Sequence, residues 1–572
     1  MKLGDLLTKN DPAFFIPPYQ RKYEWAEDQC DVFWKDALKV LSPVSPEPPT
    51  HFFGTALLSV SSKSSISDVR YILVDGQQRI TTVFLFLAAC RDSGKCPRNL
   101  ANKISSILFR SGLPRLEQSE TDCREYAGIL SSSPLPQNGG RLWENYLFFR
   151  EKIAGWRGAP SCGGIQDLTE AVLERFTMAV LEPDKQEGDL QDIFESMNST
   201  GSPLSFADLV KNWLLMLPDA AEQKRFFSSC WMPMEEALGG AKIQDASDFI
   251  RSYMEMKASK SYSRPPLLEQ QKPLYIEFKR LFSGVPKEDV LRDLRLYAPL
   301  YAQLESARTP DPQESAILGD LNAVKAPYAR PFLLLLFSMR QEGRISDSDL
   351  LKVLKALRVY FLRRRLRGLP HTQEGDLARL SGRIGELLEA PDKEAAAFAL
   401  LSSQSRPLRL PNDAEVAECL KSMKFCNTDQ KRQKFFLCLA EEALTRSRPL
   451  LEDRALTIEH IMPRSLSPEW EENLGKDAED IHSRLIDNIG NLTILHCNLQ
   501  AGNKAFREKK EIYASQDGLR LSRRCIEDCA EWDESAILRR QEWLASLFLK
   551  SILPVPEKYR ESENYILEAA GN

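Results

Sequence analysis

Thr457-Ile458-Glu459-His460-Ile461-Met462-Pro463 sets an acid beside a histidine at the end of a short apolar stretch. After a gap come Asn488-Ile489-Gly490-Asn491-Leu492-Thr493-Ile494-Leu495, then Asn498, then Gly502-Asn503-Lys504-Ala505-Phe506, with Lys509 beyond. Periodicity reads this as a short strand, a loop, a second short strand at Leu492–Leu495 and a helix from about Lys504. Neighbours on a regular strand point to opposite faces, so Glu459 and His460 enter one cleft only if the strand ends or bulges there. Pro463 indicates that it soon ends.

The residue types suit phosphodiester hydrolysis, which needs an activated water and a cation on the leaving oxygen. A neutral imidazole is a suitable base because its ordinary pKa lies near ~6.5. Mg²⁺ prefers oxygen ligands and keeps several waters, so one carboxylate and one amide carbonyl can suffice. The plain alternative makes His460 a structural histidine before a proline turn. Against it stand the asparagines that follow, because buried amides are costly unless paired.

The string EHIMP…IGNLTIL…N…GNKAF…K resembles the C-terminal nuclease domain of the GmrSD-type modification-dependent (type IV) restriction endonucleases, an HNH domain of the ββα-metal type. The resemblance covers about residues 400–550. It implies His460 as general base, Asn491 as the residue that pins the ββα loop, and Asn503 as the late metal-side residue, so that His460, Asn491 and Asn503 form the catalytic set. Glu459 would be the acidic metal ligand, with Asn498 competing with Asn503 for the third role. Lys504 and Lys509 would lie on the metal helix and meet DNA phosphate. Arg464 is given no catalytic role.

A second constellation lies near the start. Phe15–Trp25 (FIPPYQRKYEW) is dense in aromatic and cationic groups, His51-Phe52-Phe53-Gly54 opens a strand, and Val74-Asp75-Gly76-Gln77-Gln78-Arg79-Ile80-Thr81-Thr82 is a strand–turn–helix transition. Phe52–Val60 and Val69–Val74 read as strands, and Thr81–Cys90 as a helix after a glycine turn. Gly76 permits a tight turn or a close ligand approach. The helix N-terminus with Gln77, Gln78 and Arg79 suits an anion, and Arg79 and Arg21 can each grip phosphate in a two-pronged way. Taken singly, each piece reads more readily as an ordinary structural turn than as a site.

Together these pieces resemble the N-terminal, ParB-like domain of the same family, from about residue 5 to 215. Further matching stretches are Arg115–Tyr126, Ile193–Gly201 and Leu204–Asn212, with Met197 where the pattern usually has leucine. Membership implies binding, often hydrolysis, of a nucleoside triphosphate (GTP, CTP or ATP undetermined). Gln20, Arg21, Asp75, Gly76, Gln77, Gln78, Arg79 and Thr81 would form that site, and Tyr19 would line it or help sense DNA. No GxxxxGK[ST] is present, so the site is not a P-loop.

The chain of 572 residues suggests about three or four domains. A net charge of −5 gives no global support for nucleic-acid binding, so DNA contact must come from a local basic face. The densest basic run is Lys352, Lys355, Arg358, Arg363, Arg364, Arg365 and Arg367. Arg364 and Arg365 are its candidate phosphate contacts, against the plain reading of a solvated face. Twelve cysteines without CxxC spacing point to a reducing compartment. Cys525 and Cys529 offer only half of a metal site. Val83–Cys90 and Phe332–Phe337 are far too short to span a bilayer.

The expectation is an α+β, mostly helical protein with four parts. These are a ParB-like sensor at 1–215, a helical connector at 216–400, an HNH-type nuclease at 401–552 embedded in helices, and a tail at 553–572. Its expected activity is nucleotide-regulated cleavage of modified or phage double-stranded DNA with Mg²⁺ or Mn²⁺, in a prokaryotic cytoplasm, with no membrane partner and homodimerisation left open. The alternatives are a ParB-like nucleotide-gated DNA-binding switch with a weak or inactive nuclease module, or a toxin-like nuclease acting on host DNA.

Overall fold

The computed structural model describes residues 1–41, 49–65, 68–119, 122–131, 139–158, 164–183, 193, 204–217, 220–239, 243–258, 271–324, 326, 329–369, 378–403, 409–422, 430–449, 451, 453–496, 501–515, 519–527 and 529–560. It is an α+β protein, mostly helical, with small sheets. The chain divides into two compact units, Met1–Ile250 with Pro266–Ala298, and Arg251–Pro265 with Pro299–Asn572. Residues 216–400, expected as a separate connector, are shared between the two.

The first unit is built on a five-stranded mixed sheet. Its strands are β1 (Ala13–Phe15), β2 (His51–Ser65), β3 (Asp68–Asp75), β4 (Leu116–Glu117) and β5 (Phe176–Leu181), in the order β4-β1-β3-β2-β5. Strands β2 and β3 are antiparallel, whereas β1 runs parallel to β3 and β4, and β2 parallel to β5. Helix α1 (Gln77–Arg91) follows β3 at once and is buried on every side from Ile80 to Cys90. A helix apolar all round belongs at the centre of a core. Phe33 packs edge-on against Phe53, Phe86, Phe149 and Phe176 at ring-centroid distances of 5.3–5.6 Å. Helix α2 (Phe206–Leu215) starts at a Ser205–Asp208 capping box.

In the second unit, helix α3 (Asp347–Leu366) carries the basic run. Arg363 and Arg364 are fully buried there. The Arg363 guanidinium donates to the carbonyls of Leu553 and Pro411 and to Asp413, and Arg364 donates to the Arg409 carbonyl. Helix α4 (Gln430–Thr445) precedes a two-stranded antiparallel ribbon of β6 (Leu456–His460) and β7 (Leu492–His496). After it come α5 (Phe506–Ser515), α6 (Arg520–Glu527) and α7 (Glu534–Leu547). At the start of the stretch expected as a tail, Leu553, Val555 and Tyr559 are buried. Among the described residues no helix is long and apolar enough to cross a membrane.

Candidate active site

The ribbon pairs without a bulge, from Leu456 opposite His496 to His460 opposite Leu492. The strand ends at His460, and there Glu459 and His460 both border one cleft. Glu459 is 3 % exposed, and its Oε1 accepts from Lys509 Nζ at 2.6 Å and from Tyr513 Oη at 3.3 Å. Lys509 is itself fully buried and also donates to the His460 carbonyl at 2.8 Å. Burial pushes the Glu459 carboxyl up and the Lys509 ammonium down, and each partner's charge opposes that shift. Two expectations change here. Lys509 is the counter-ion of Glu459 and does not reach out to phosphate, and the Glu459 carboxylate is engaged by a lysine.

His460 closes the ribbon at a cleft of about 460 Å³, bordered also by Glu459, Arg464, Gly502, Asn503, Gln430 and Gln433. Its Nε2 lies 3.4 Å from Asp487 Oδ1. Burial lowers the imidazole pKa to about 4, helped by the nearby Arg464 charge and opposed by Asp487. The ring is therefore neutral at pH 7, the form a proton acceptor requires. Asp487 was not singled out in the sequence, although it stands next to Asn488 in a loop already marked by its asparagines.

That loop is held by a dense set of bonds. Asn491 is fully buried, and its Oδ1 accepts from Met462 N at 2.7 Å and Trp532 Nε1 at 3.1 Å. Its Nδ2 donates to the carbonyls of Met462 and Ile486, both at 3.0 Å. The bonds of this amide tie the loop to the turn after His460, to the Ile486 backbone and to the Trp532 indole, so Asn491 positions the site without entering the cleft. Asn488 Oδ1 accepts from Gly490 N at 2.8 Å. Gly490 is glycine because a Cβ there would stand 2.2 Å from the Ile537 carbonyl oxygen. Arg540 Nη1, on α7, donates to the Gly490 and Leu492 carbonyls, both at 2.7 Å.

Asn503 and Lys504 are exposed, and Asn503 borders the cleft. Asn498 lies outside the described residues. Glu459 and Asn503 both border the cleft, and a divalent cation shared by them would compete with the Lys509 ammonium for the Glu459 carboxylate. Among the described residues no three His, Cys, Asp or Glu side chains are placed to share a metal. Arg364 is buried, with its guanidinium on a carbonyl oxygen, and so is not a surface contact for DNA. Arg365 is half-buried. Tyr19, 2 % exposed, is not a surface contact either.

In the first unit the sequence-marked residues converge on the start of α1. Gln20 Nε2 donates to the Val74 carbonyl at 2.7 Å, just before Asp75. Gln78 Oε1 accepts from the backbone of Glu24 and Trp25, and its Nε2 donates to the Lys22 carbonyl. The YQRKYEW segment is thereby laced over the helix start. Gly76 has φ +90°, and a Cβ there would meet the Thr55 carbonyl at 2.9 Å. Arg79 donates to that same carbonyl at 3.3 Å and lies over Gly54, where a Cβ would stand 2.8 Å from its Nε. The glycine of FFG is thus room for Arg79. Arg21 holds Asp208 Oδ2 through Nε at 3.0 Å and Nη2 at 2.6 Å, an ion pair in place of the expected grip on phosphate. Thr81 is buried and accepts from Gln118 Nε2 at 3.0 Å, so its hydroxyl does not face solvent. Residues 194–201 of the matching stretch lie outside the described residues.

The family model for the N-terminal domain of GmrSD restriction endonuclease matches residues 3–215, and that for the C-terminal domain of these enzymes matches residues 410–547. No curated protein matches the chain. The two matched domains define a restriction nuclease, an enzyme whose substrate is DNA. The chain belongs to the GmrSD restriction endonuclease family.

Proposed function

We propose that the cleft at the end of β6 is an HNH-type centre that hydrolyses DNA phosphodiester bonds, with His460 as general base. The observation that carries this reading is the His460–Asp487 pair beside a loop pinned by Asn491. With Nε2–H donated to Asp487, the Nδ1 lone pair is the basic position, and it takes the proton of the attacking water. Asn503 and Lys504 stand exposed near the same strand end, where Lys504 can meet a phosphate. A cation requirement, for Mg²⁺ or Mn²⁺, belongs to the proposal; the expected ligands Glu459 and Asn503 both border the cleft, and the cation competes with Lys509 for the Glu459 carboxylate.

The proposal extends to regulation. A nucleoside triphosphate (GTP, CTP or ATP) is taken to bind around Asp75–Arg79 and to gate cutting of modified or phage DNA in a prokaryotic cytoplasm, with homodimerisation left open. Supporting features are the left-handed Gly76 at the start of α1 and the Gln77 Oε1, which is buried without a hydrogen-bond partner among the described residues. A nicking assay on matched modified and unmodified phage DNAs tests both parts. It is run with and without Mg²⁺ or Mn²⁺, and with GTP, CTP, ATP or no nucleotide. Cutting abolished by His460→Ala, with DNA binding retained, supports the enzyme; equal cutting by that variant sinks the assignment. Equal cutting with and without every nucleotide removes the gating.

A further inference from the structure

Helix α4 forms a wall of the cleft that His460 borders. Residues three and four apart share a helix face, which sets Gln430, Gln433 and Lys434 side by side on that wall. Lys434 is committed to structure, since its Nζ donates to the carbonyls of Leu451 and Asp453, both at 2.7 Å. Gln433 differs. It is 1 % exposed, yet its Nε2 has no hydrogen-bond acceptor among the described residues. Folded proteins pair nearly all such buried groups, and leaving one unpaired is unfavourable. Gln433 borders the cleft, and turning its amide toward that space gives the unpaired N–H₂ an oxygen that arrives from outside. The amide carries no charge, so it orients an anionic oxygen without adding to long-range attraction.

We infer that Gln433 donates through Nε2 to a non-bridging phosphate oxygen of the DNA strand in the cleft, and so sets the scissile phosphodiester against His460. This rests on the reading of the cleft as the nuclease centre. Gln433 is then a substrate-binding residue contributed by a helix that precedes the ribbon.

The test uses the full chain and the DNA that the wild-type protein cuts. Gln433→Met keeps the side chain's length and removes the unpaired donor. The expected result has opposite signs in two measurements: thermal stability is unchanged or higher, and the KM for cutting rises about tenfold. The salt dependence of binding, measured with His460→Ala as the background, keeps its slope, because a neutral donor releases no counterion. Gln433→Glu, which puts a carboxylate against phosphate, weakens binding further. The inference is overturned if Gln433→Met melts lower than wild type and cuts with unchanged KM, the result for a purely structural glutamine. It is overturned as well if KM is unchanged at any stability. Failure of the nuclease reading looks different: the wild type cuts no DNA, or His460→Ala cuts as well as it does.

Discussion

Lys509 Nζ lies 2.6 Å from Glu459 Oε1 and 2.8 Å from the carbonyl oxygen of His460. One buried ammonium thus joins the acid of the Glu-His pair to the backbone of its histidine. It connects α5 to the end of β6, and it leaves the two adjacent side chains with different work.

Removing one partner of a buried ion pair leaves the other charge without compensation, at a cost of roughly 3–5 kcal/mol. Lys509→Met is expected to destabilise the chain by about that much. The double variant Glu459→Gln/Lys509→Met should recover most of the loss. Denaturant unfolding of the wild type and the two variants measures this. A double variant no more stable than Lys509→Met would show that the pair is not the source.

Asn491 makes four hydrogen bonds and touches nothing in the cleft. Asn491→Ala strands two backbone groups of Met462, the Ile486 carbonyl and the Trp532 indole N–H, with an expected cost of about 4 kcal/mol at roughly 1 kcal/mol per orphaned group. Cutting should fall with stability. A variant that melts like wild type yet is inactive would instead place Asn491 in the chemistry.

The His460 pKa is lowered from 6.5 to about 4, so between those values the unfolded chain binds the proton first. Stability contributed by the neutral ring is complete above pH 6.5 and is lost as pH falls toward 4. The loss amounts to about 3 kcal/mol over that window. His460→Gln should flatten this part of the stability–pH curve. Asp487→Asn removes a charge that favours the imidazolium, so the acid limb of cutting should move to lower pH. A limb that stays in place would deny Asp487 its influence on the ring.

Gly54 has φ +101° and leaves 2.8 Å between a built Cβ and Arg79 Nε. Gly54→Ala therefore strains the backbone and pushes Arg79 aside, with an expected cost of about 1–3 kcal/mol. If Arg79 serves the proposed nucleotide site, triphosphate binding measured by calorimetry should weaken beyond what lost stability explains. Binding at wild-type affinity would remove Arg79 from that site.

Local signals in the sequence carried the scaffolds of both sites. The glycine turn before α1, the strands around it and the ribbon with its following helix all follow from short-range pattern, and the structure has them at Asp68–Asp75, Gln77–Arg91, Leu456–His460 and Leu492–His496. The sequence allowed Glu459 and His460 to share a cleft if the strand ended there; it ends at His460 without a bulge, and both residues border the cleft. Partners far along the chain were not legible. Nothing local shows that Lys509 folds back on Glu459, that Asp487 meets His460, or that Gln433 borders the same cleft. The charges of α3 misled for the same reason. Arg363 and Arg364 satisfy carbonyls of segments about 45–190 residues away, a contact that only tertiary packing creates.

The loop beside His460 is gripped by Trp532 and Arg540, residues that are made after both strands of the ribbon. At about 5–20 residues per second, synthesis reaches them seconds later, and the ribosome still covers them for a time. A newborn chain therefore holds its histidine without the frame that aims it. A chain stopped after Glu531 is expected to leave DNA uncut where the full chain nicks it.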